Sequence, residues 1–523
     1  MDLAMIFTIL SAIGYSWLRM TVGLSISLLL SFAVGIAAAT SRTLEKIIIP
    51  VLDILQSIPI LSFFPIALYA FISLHPVIGP ELAAVFLIFT SQVWNISFGV
   101  YEAIKFIPTE TLEVTNFLRF SIVDKIQHLY IRASFPKVAA NLPSSWANGL
   151  YFLVACEIIT IGEAEYRLYG IGSITTQLIA SGMVLESVLA LCLVMFFVVL
   201  MNLLVFIPMI RISMKYRFEA YAVEVPHAWF ERVIKPFTIP IKMIAHKPRF
   251  AEHWKIGLGL RSFISLITKH RRYVETLILL TILAILMLTV RCEDVIKFSH
   301  LVFNGLSRLG YIEPLIMLGY SLARVSTVTL ITLGWTIPVS IILYENKTLE
   351  KILTPIFQAI ASFPATLLIP FIMDFNVKIG LMKEFGALII ILLGTTWYML
   401  FSLRGALSLM PSEEEELFKL LRIRGLKKLW HLYLPRMTPS MITGCIITVG
   451  GGWNTLVIAE RTVLDHLVWE VENPGIGKTM NVATSTGDIQ LLVATTIWMA
   501  LFIVLINRLV WRRIYEIAVR RIV

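Results

Sequence analysis

The chain has 523 residues, 58% of them hydrophobic and 15% charged, with a mean hydropathy of +0.83. Soluble domains carry about 25% charged residues, so this is a membrane protein's composition and a soluble domain is excluded. The formal net charge of +10 does not indicate nucleic acid, because 13 Lys and Arg stand against 4 acids between Arg211 and Arg272. Nearly all of the excess therefore sits in one hydrophilic linker, as expected for a cytoplasmic loop facing anionic lipid.

The first segment, "MDLAMIFTIL", carries an acid and no base before Arg19; it lacks the basic start of a cleaved signal peptide and reads as part of the mature chain. Apolar runs long enough for a bilayer core place spans at about 14–40, 47–73, 82–104, 139–160 and 185–210 within a first part, 1–215. After the basic linker, 216–273, a second part, 274–523, has spans at about 274–291, 318–343, 352–374, 384–404, 439–461 and 489–511. The fold expected is an all-α polytopic membrane protein with about eleven transmembrane helices.

The two parts repeat each other. "TLEKIIIP" at 43–50 recurs as "TLEKILTP" at 348–355, an offset of 305 that also carries Arg19 onto Arg324, Ser57 onto Ser362, Pro59 onto Pro364 and Pro65 onto Pro370. The offset becomes 303 from Trp94 on Trp397 through Pro108 on Pro411 to Glu157 on Glu460, then returns to 305 for Asn202 on Asn507. So many ordered matches make the chain two homologous halves. Six spans separate equivalent helices, and an even number gives the halves the same orientation, a parallel repeat. Segments 105–137, 211–273 and 405–436 are rich in Lys and Arg and fall on one side, predicted cytoplasmic. The N-terminus is then outside the cytoplasm and the C-terminus inside.

"ENPGIGKTM" at 472–480 looks like the end of a nucleotide-binding loop. The first glycine of such a loop would stand where Glu472 is, and the segment falls outside the cytoplasm, away from ATP. "LYGIGSITT" at 168–176 repeats the Gly-Ile-Gly without the lysine. These glycines are expected to make a tight turn before the last helix of each half. The four cysteines, Cys156, Cys192, Cys292 and Cys445, have no metal-ligand spacing, and neither a metal nor a cofactor is expected.

Before the last two spans of the second half stands "MPSEEEELFKLLRIRGLKKLWHLYLPRMTP". Pro411 at a helix start, acids in the first turn and bases after it predict a short amphipathic helix, and Ser412 with Glu415 fits a capping box. Counted from Glu416, Arg422 lies six residues on, Leu432 sixteen, Leu434 eighteen and Pro435 nineteen. This resembles the coupling-loop signature of binding-protein-dependent ABC importer permeases: Glu-Ala-Ala, then Gly, then Ile-x-Leu-Pro. Leu417 and Phe418 replace the small residues and Arg422 the glycine. The first half keeps Glu113, Arg119 and Leu129 in step but has Ile131-Arg132 in place of Leu-Pro. With "LDILQSIPILSFFP", "EYRLYGIGS" and "GGGWNTLVIAE", the chain resembles fused double permeases of the nitrate, sulfonate and bicarbonate type over nearly its whole length.

The resemblance implies a non-enzymatic permease subunit in the cell membrane, one chain acting as a pseudo-dimer. Two ABC ATPase subunits would dock on the coupling helices, through Glu113, Arg119, Glu416, Arg422, Leu434 and Pro435, and an extracytoplasmic binding protein would deliver substrate, a small anion by the family's name. Glu157 and Glu460 sit at equivalent places in apolar helices with no evident basic partner. They either belong to the translocation pathway or reach water at the span ends. Trp94, Trp397, Trp453, Asn95 and Asn454 either line the pathway or pack helices together. Two rival classes are an ion-coupled secondary transporter with parallel repeats, which needs no coupling helix, and a membrane-embedded enzyme, for which no convergent catalytic groups are found.

Overall fold

The computed structural model describes residues 3–161, 164–216, 292–361, 363, 365–380, 382–408, 410, 412–423, 425–464, 467–511 and 513–514. The linker from 217 onward, the expected span 274–291 and the repeat positions Ser362, Pro364 and Pro411 lie outside them.

The first half begins with α1 (Leu3–Thr40), whose buried residues Ile9, Ile13, Ser16, Met20, Gly23, Ser27 and Ser31 form one stripe at helical spacing. Small residues on that stripe let α4 (Gly79–Lys105) approach: a Cβ at Gly23 would overlap Ile88, and one at Gly35 would overlap Val100. Between them, α2 (Arg42–Ser57) starts at Ser41, whose side chain accepts from the Leu44 N–H, and α3 (Ile60–Leu74) leaves it at 98°. The break is local chemistry. Ile58 precedes Pro59 and is extended, with ψ 125°, as the proline ring demands.

There follow α5 (Thr109–Phe117), α6 (Ile122–Lys125), α7 (Ile131–Tyr151), α8 (Leu153–Glu157), α9 (Ile171–Ala180), α10 (Val184–Met201) and α11 (Ile207–Ser213). The first described helix of the second half is α12 (Cys292–Leu309), for which the repeat supplies no counterpart. It continues with α13 (Ile312–Glu345), α14 (Lys347–Ala361), α15 (Ile369–Ile379), α16 (Lys383–Ser408), α17 (Ser412–Leu420), α18 (Leu426–Lys428), α19 (Leu434–Glu460), α20 (Ile476–Thr486) and α21 (Ile489–Ile506). The repeat holds in detail. Single π-helical turns, rare in proteins, occur at Ile126–Tyr130 and Leu429–Tyr433, and again at Asn202–Phe206 and Asn507–Trp511.

Among the described residues seven helices are long and apolar enough to cross a membrane, or nine if each bent pair is one span. The all-α expectation holds with one addition. Strand β1 (Ile158–Ile161) pairs antiparallel with β2 (Ala164–Arg167), and β3 (Arg461–Leu464) with β4 (Leu467–Glu470), in two short hairpins where the apolar runs predict a continuation of the spans 139–160 and 439–461.

The halves interlock reciprocally. The Ile60 N–H, freed at the Pro59 break, donates to Asn454 Oδ1 at 2.7 Å, and Thr366 Oγ1 donates to the Tyr151 carbonyl at 2.7 Å. Tyr151 and Asn454 are repeat equivalents, and residues 60 and 61 are equivalent to 365 and 366. A contact and its exchanged image define a pseudo-two-fold relation. One apolar core runs through both halves, from Trp146 and Leu150 to Trp453 and Ile476.

Candidate translocation site and coupling helices

Each half contains a charge cluster at the hairpin end of its helices, built around a buried arginine and a buried glutamate. In the first, α1 supplies Arg19, whose Nε and Nη2 donate to both Glu81 oxygens at 2.6 and 2.7 Å while Nη1 donates to Glu157 Oε1 at 3.0 Å. Glu157 also accepts from the Ser16 hydroxyl and, at 2.6 Å, from the Gly172 N–H. In the second half Arg324 donates to Glu384 at 2.7 and 2.8 Å and to Glu460 at 2.7 Å. Glu460 accepts from Ser321 at 2.7 Å and from the Lys478 N–H at 3.0 Å. Both Glu157 and Glu460 are fully buried. A buried carboxylate is costly unless paired and hydrogen-bonded, and these two are both.

This corrects the reading from sequence, which finds no basic partner for either acid. Arg19 and Arg324 are 138 and 136 residues away in sequence. Glu81 and Glu384, which complete the clusters, are absent from the sequence-based candidates. The signal is available, since Arg19 repeats as Arg324 and Glu81 repeats as Glu384.

The Gly-Ile-Gly phrases also have a different purpose from the one expected. Gly170 and Gly475 are extended, with φ −176° and −164°, and cap the N-termini of the short helices α9 and α20. A Cβ at Gly170 would overlap the Glu157 carboxylate, and one at Gly475 the Glu460 carboxylate. Glycine is needed for close approach, not for a turn of positive φ.

The other pathway candidates hold helices together. Asn95 Nδ2 donates to Ser144 and Ser145 at 2.9 and 3.0 Å, and Asn141 Nδ2 donates back to the Asn95 carbonyl at 3.0 Å, tying α4 to α7. Trp94 is partly buried beside it, its Nε1 without a hydrogen-bond partner. Asn454 caps α3 of the opposite half. Trp397 edges a cavity of about 920 Å³ lined by residues of both halves. Among the described residues its charged lining is Lys137, Lys347, Lys351 and Arg404 against the acid Glu350. Asn141, Asn148, Gln358 and Tyr398 add polar groups, and Ser408 and Met410 place the rim beside the start of α17.

The coupling candidates occupy two equivalent helix-and-turn units. Glu113 on α5 and Glu416 on α17 are exposed. Arg119 and Arg422, two residues past each helix, have φ of 51° and 53°, the positive-φ non-glycine residues of the described chain. Each ends its helix in a left-handed turn closed by a bond from the following N–H, Phe120 to the Thr115 carbonyl at 3.0 Å and Ile423 to that of Phe418 at 3.1 Å. These are the positions where the resembling signature has glycine, so the arginines adopt the conformation glycine would favour. Leu434 and Pro435 open α19 directly after the π-helical turn Leu429–Tyr433, inside one helical run that extends from Leu426 to Glu460. Val114, Phe117 and Leu118 on one unit, and Leu417, Leu420 and Leu421 on the other, are exposed. Large exposed apolar residues so grouped mark an interaction surface.

Two homologous halves, two exposed helix-and-turn units and a shared cavity describe a membrane-embedded transport subunit. Residues 28–213, and again 331–523, match the family described as binding-protein-dependent transport system inner membrane component. The chain belongs to that family, with the domain present twice. Over 144 residues it is 29% identical to the bicarbonate transport system permease protein CmpB of Synechococcus elongatus, covering 28% of this chain and 50% of that protein. Over 193 residues it is 28% identical to the nitrate import permease protein NrtB of Leptolyngbya laminosa, covering 37% of this chain and 65% of that protein. A match of 24% identity to the glycine betaine transport system permease protein OpuAB of Bacillus subtilis covers 46% of this chain and 83% of that protein. The chain thus spans from about half to just under two thirds of the length of the bicarbonate and nitrate relatives it matches.

Proposed function

We propose that this chain is a permease subunit of an ABC importer for a small anion, its two halves together forming one pore. The observation that carries this is the pair of exposed helix-and-turn units, α5 and α17, together with a cavity lined by both halves and edged by four cations and one acid. Lys347 and Arg404 share Glu350 and Lys137 pairs with Glu102, so the lining keeps an excess of positive charge, and such an excess in a cleft concentrates anions. ATP hydrolysis belongs to two separate ATPase subunits, which grip α5 and α17 through Glu113, Arg119, Glu416 and Arg422. Leu434 and Pro435 pass the displacement into α19, so closure of the ATPase pair moves membrane helices as rigid bodies. Glu157, Glu460, Trp94, Asn95 and Asn454 shape the pathway by fixing the helices around it.

In this reading α5, α17 and the C-terminus are cytoplasmic, and the N-terminus and hairpins face outward, where a soluble binding protein delivers the anion. Native mass spectrometry of the purified complex tests the arrangement: one permease chain with two ATPase subunits is expected, and a stable complex with two permease chains contradicts it. A cysteine at Glu472, exposed beside α20, is expected to react with an impermeant reagent from outside, and one at Phe117 only after permeabilisation. The opposite labelling contradicts the orientation.

A further inference from the structure

A second, smaller cavity of about 140 Å³ lies at the hairpin end of the helices. It sits on the pseudo-two-fold axis, because its wall takes equivalent residues from both halves: Leu61 with Thr366, Phe64 with Ile369, and Ala155 with Ile458. Ile158 of β1 and Thr462 and Val463 of β3 close it. Its polar lining breaks the symmetry. Asn481 and Ser485 of α20 line it, and a single guanidinium holds both: Arg461 Nη1 donates to Asn481 Oδ1 and to Ser485 Oγ, each at 2.9 Å. The repeat puts Ile158, Thr176 and Ala180 at those three positions in the first half.

We propose that this cavity is a recognition site for a small univalent oxyanion, its polar groups supplied by the second half, with Arg461 behind the wall as its charge and Asn481 as its donor. The proposal rests on the anion-import reading and adds the place, the size and the residues. Arg461 is 13% exposed, and its Nε, which makes no hydrogen bond, forms an ion pair with Glu470 at 3.5 Å; Lys478 approaches the same acid at 3.6 Å, so the cluster keeps one net positive charge. Asn481 gives its oxygen to Arg461, which leaves its NH2 group to donate into the cavity. The described lining of the cavity is itself neutral. One cation behind a largely apolar wall returns enough attraction for a univalent, weakly hydrated anion, whereas a multivalent ion loses more hydration than one guanidinium restores. About 140 Å³ holds only a few water-sized groups, so a solute with an organic tail does not fit. A quaternary ammonium would want an aromatic cage, and among the described lining residues Phe64 alone is aromatic.

The test uses two readouts on the full chain. The first is the thermal stabilisation of the purified permease by nitrate, bicarbonate or taurine, since a ligand that binds the folded state raises its melting temperature. The second is ATP-dependent uptake of the same solutes by proteoliposomes containing the permease, its ATPase subunits and its binding protein. Nitrate or bicarbonate is expected to stabilise the wild type and taurine is not. Arg461→Ala is expected to raise the half-saturating anion concentration about ten-fold or more in both readouts, Arg461→Lys to recover part of it, and Asn481→Ala to have a smaller effect. Ala155→Phe, from the half that contributes no charge, fills the cavity and is expected to abolish the stabilisation. Stabilisation that is absent in the wild type, or unchanged in Arg461→Ala and Ala155→Phe, overturns the site. Anion stabilisation that follows this pattern without any ATP-dependent uptake leaves the site standing and overturns the import reading instead.

Discussion

Arg324 Nη1 lies 2.7 Å from Glu460 Oε1, at the equivalent place to the 3.0 Å contact of Arg19 with Glu157. Each arginine ties its first long helix to the root of a hairpin, because Glu157 directly precedes β1 and Glu460 directly precedes β3. Removing one member of a buried pair leaves an uncompensated charge, at a cost of about 3–5 kcal/mol. Arg324→Leu is therefore expected to destabilise the purified chain by that order. Adding Glu460→Gln should restore part of the loss, as one stranded charge is removed. Thermal unfolding of the two single variants and the double variant checks this, and additive losses would show that the residues act independently.

Gly475 tests the close approach. A methyl group there meets the Glu460 carboxylate, and forced overpacking costs about 1–3 kcal/mol. Gly475→Ala should lower the melting temperature, and Glu460→Asp in the same chain, by shortening the acid, should recover some of it. Gly310 provides the contrast: it has φ 69°, and no atom lies within 4 Å of the place a Cβ would take, so Gly310→Ala carries only the backbone cost of about 1 kcal/mol.

Arg119 and Arg422 hold the left-handed conformation that costs a non-glycine residue about 1 kcal/mol. Glycine at either position should stabilise the helix-and-turn unit slightly, and valine should destabilise it. Protection of the α5 and α17 backbone amides in hydrogen exchange measures both. Equal protection in the glycine and valine variants would contradict the role of these turns.

The two helix-and-turn units, α5 and α17, are unequal. In the second, Arg436 Nε donates to Glu414 at 2.7 Å, bracing α17 against α19; the repeat puts Thr111 and Ala133 at those positions in the first. The second also has four acids, Glu413 to Glu416, in its first turns, each worth about 0.3–1 kcal/mol to a helix. Glu416→Arg should lower transport-coupled ATP hydrolysis more than Glu113→Arg at equal expression. Equal losses, or a larger loss for Glu113→Arg, would show that the difference between the units has no mechanical consequence.

Much of this is legible in the sequence. Apolar runs mark the spans, because a bilayer selects on length and hydropathy alone. The repeat identifies the equivalent residues, and Pro59 marks the break between α2 and α3. What the sequence withholds is long-range: that Arg19 meets Glu157, or that Asn454 of one half caps Ile60 of the other, depends on how helices pack, to which periodicity is blind. The hairpins escape notice because "IITI" and "RTVL" are nearly as apolar as the helices they follow. Their β-branched residues are the available sign.

ATP-dependent uptake by proteoliposomes, with the ion gradients collapsed, tests the central claim most directly. The permease would be reconstituted with its ATPase subunits and binding protein and given labelled nitrate or bicarbonate. ATP-driven import by a pseudo-dimeric permease predicts uptake that requires ATP on the side of α5 and α17 and persists without a proton or sodium gradient. Uptake by the permease alone, driven by such a gradient and indifferent to ATP, would contradict it and identify an ion-coupled transporter.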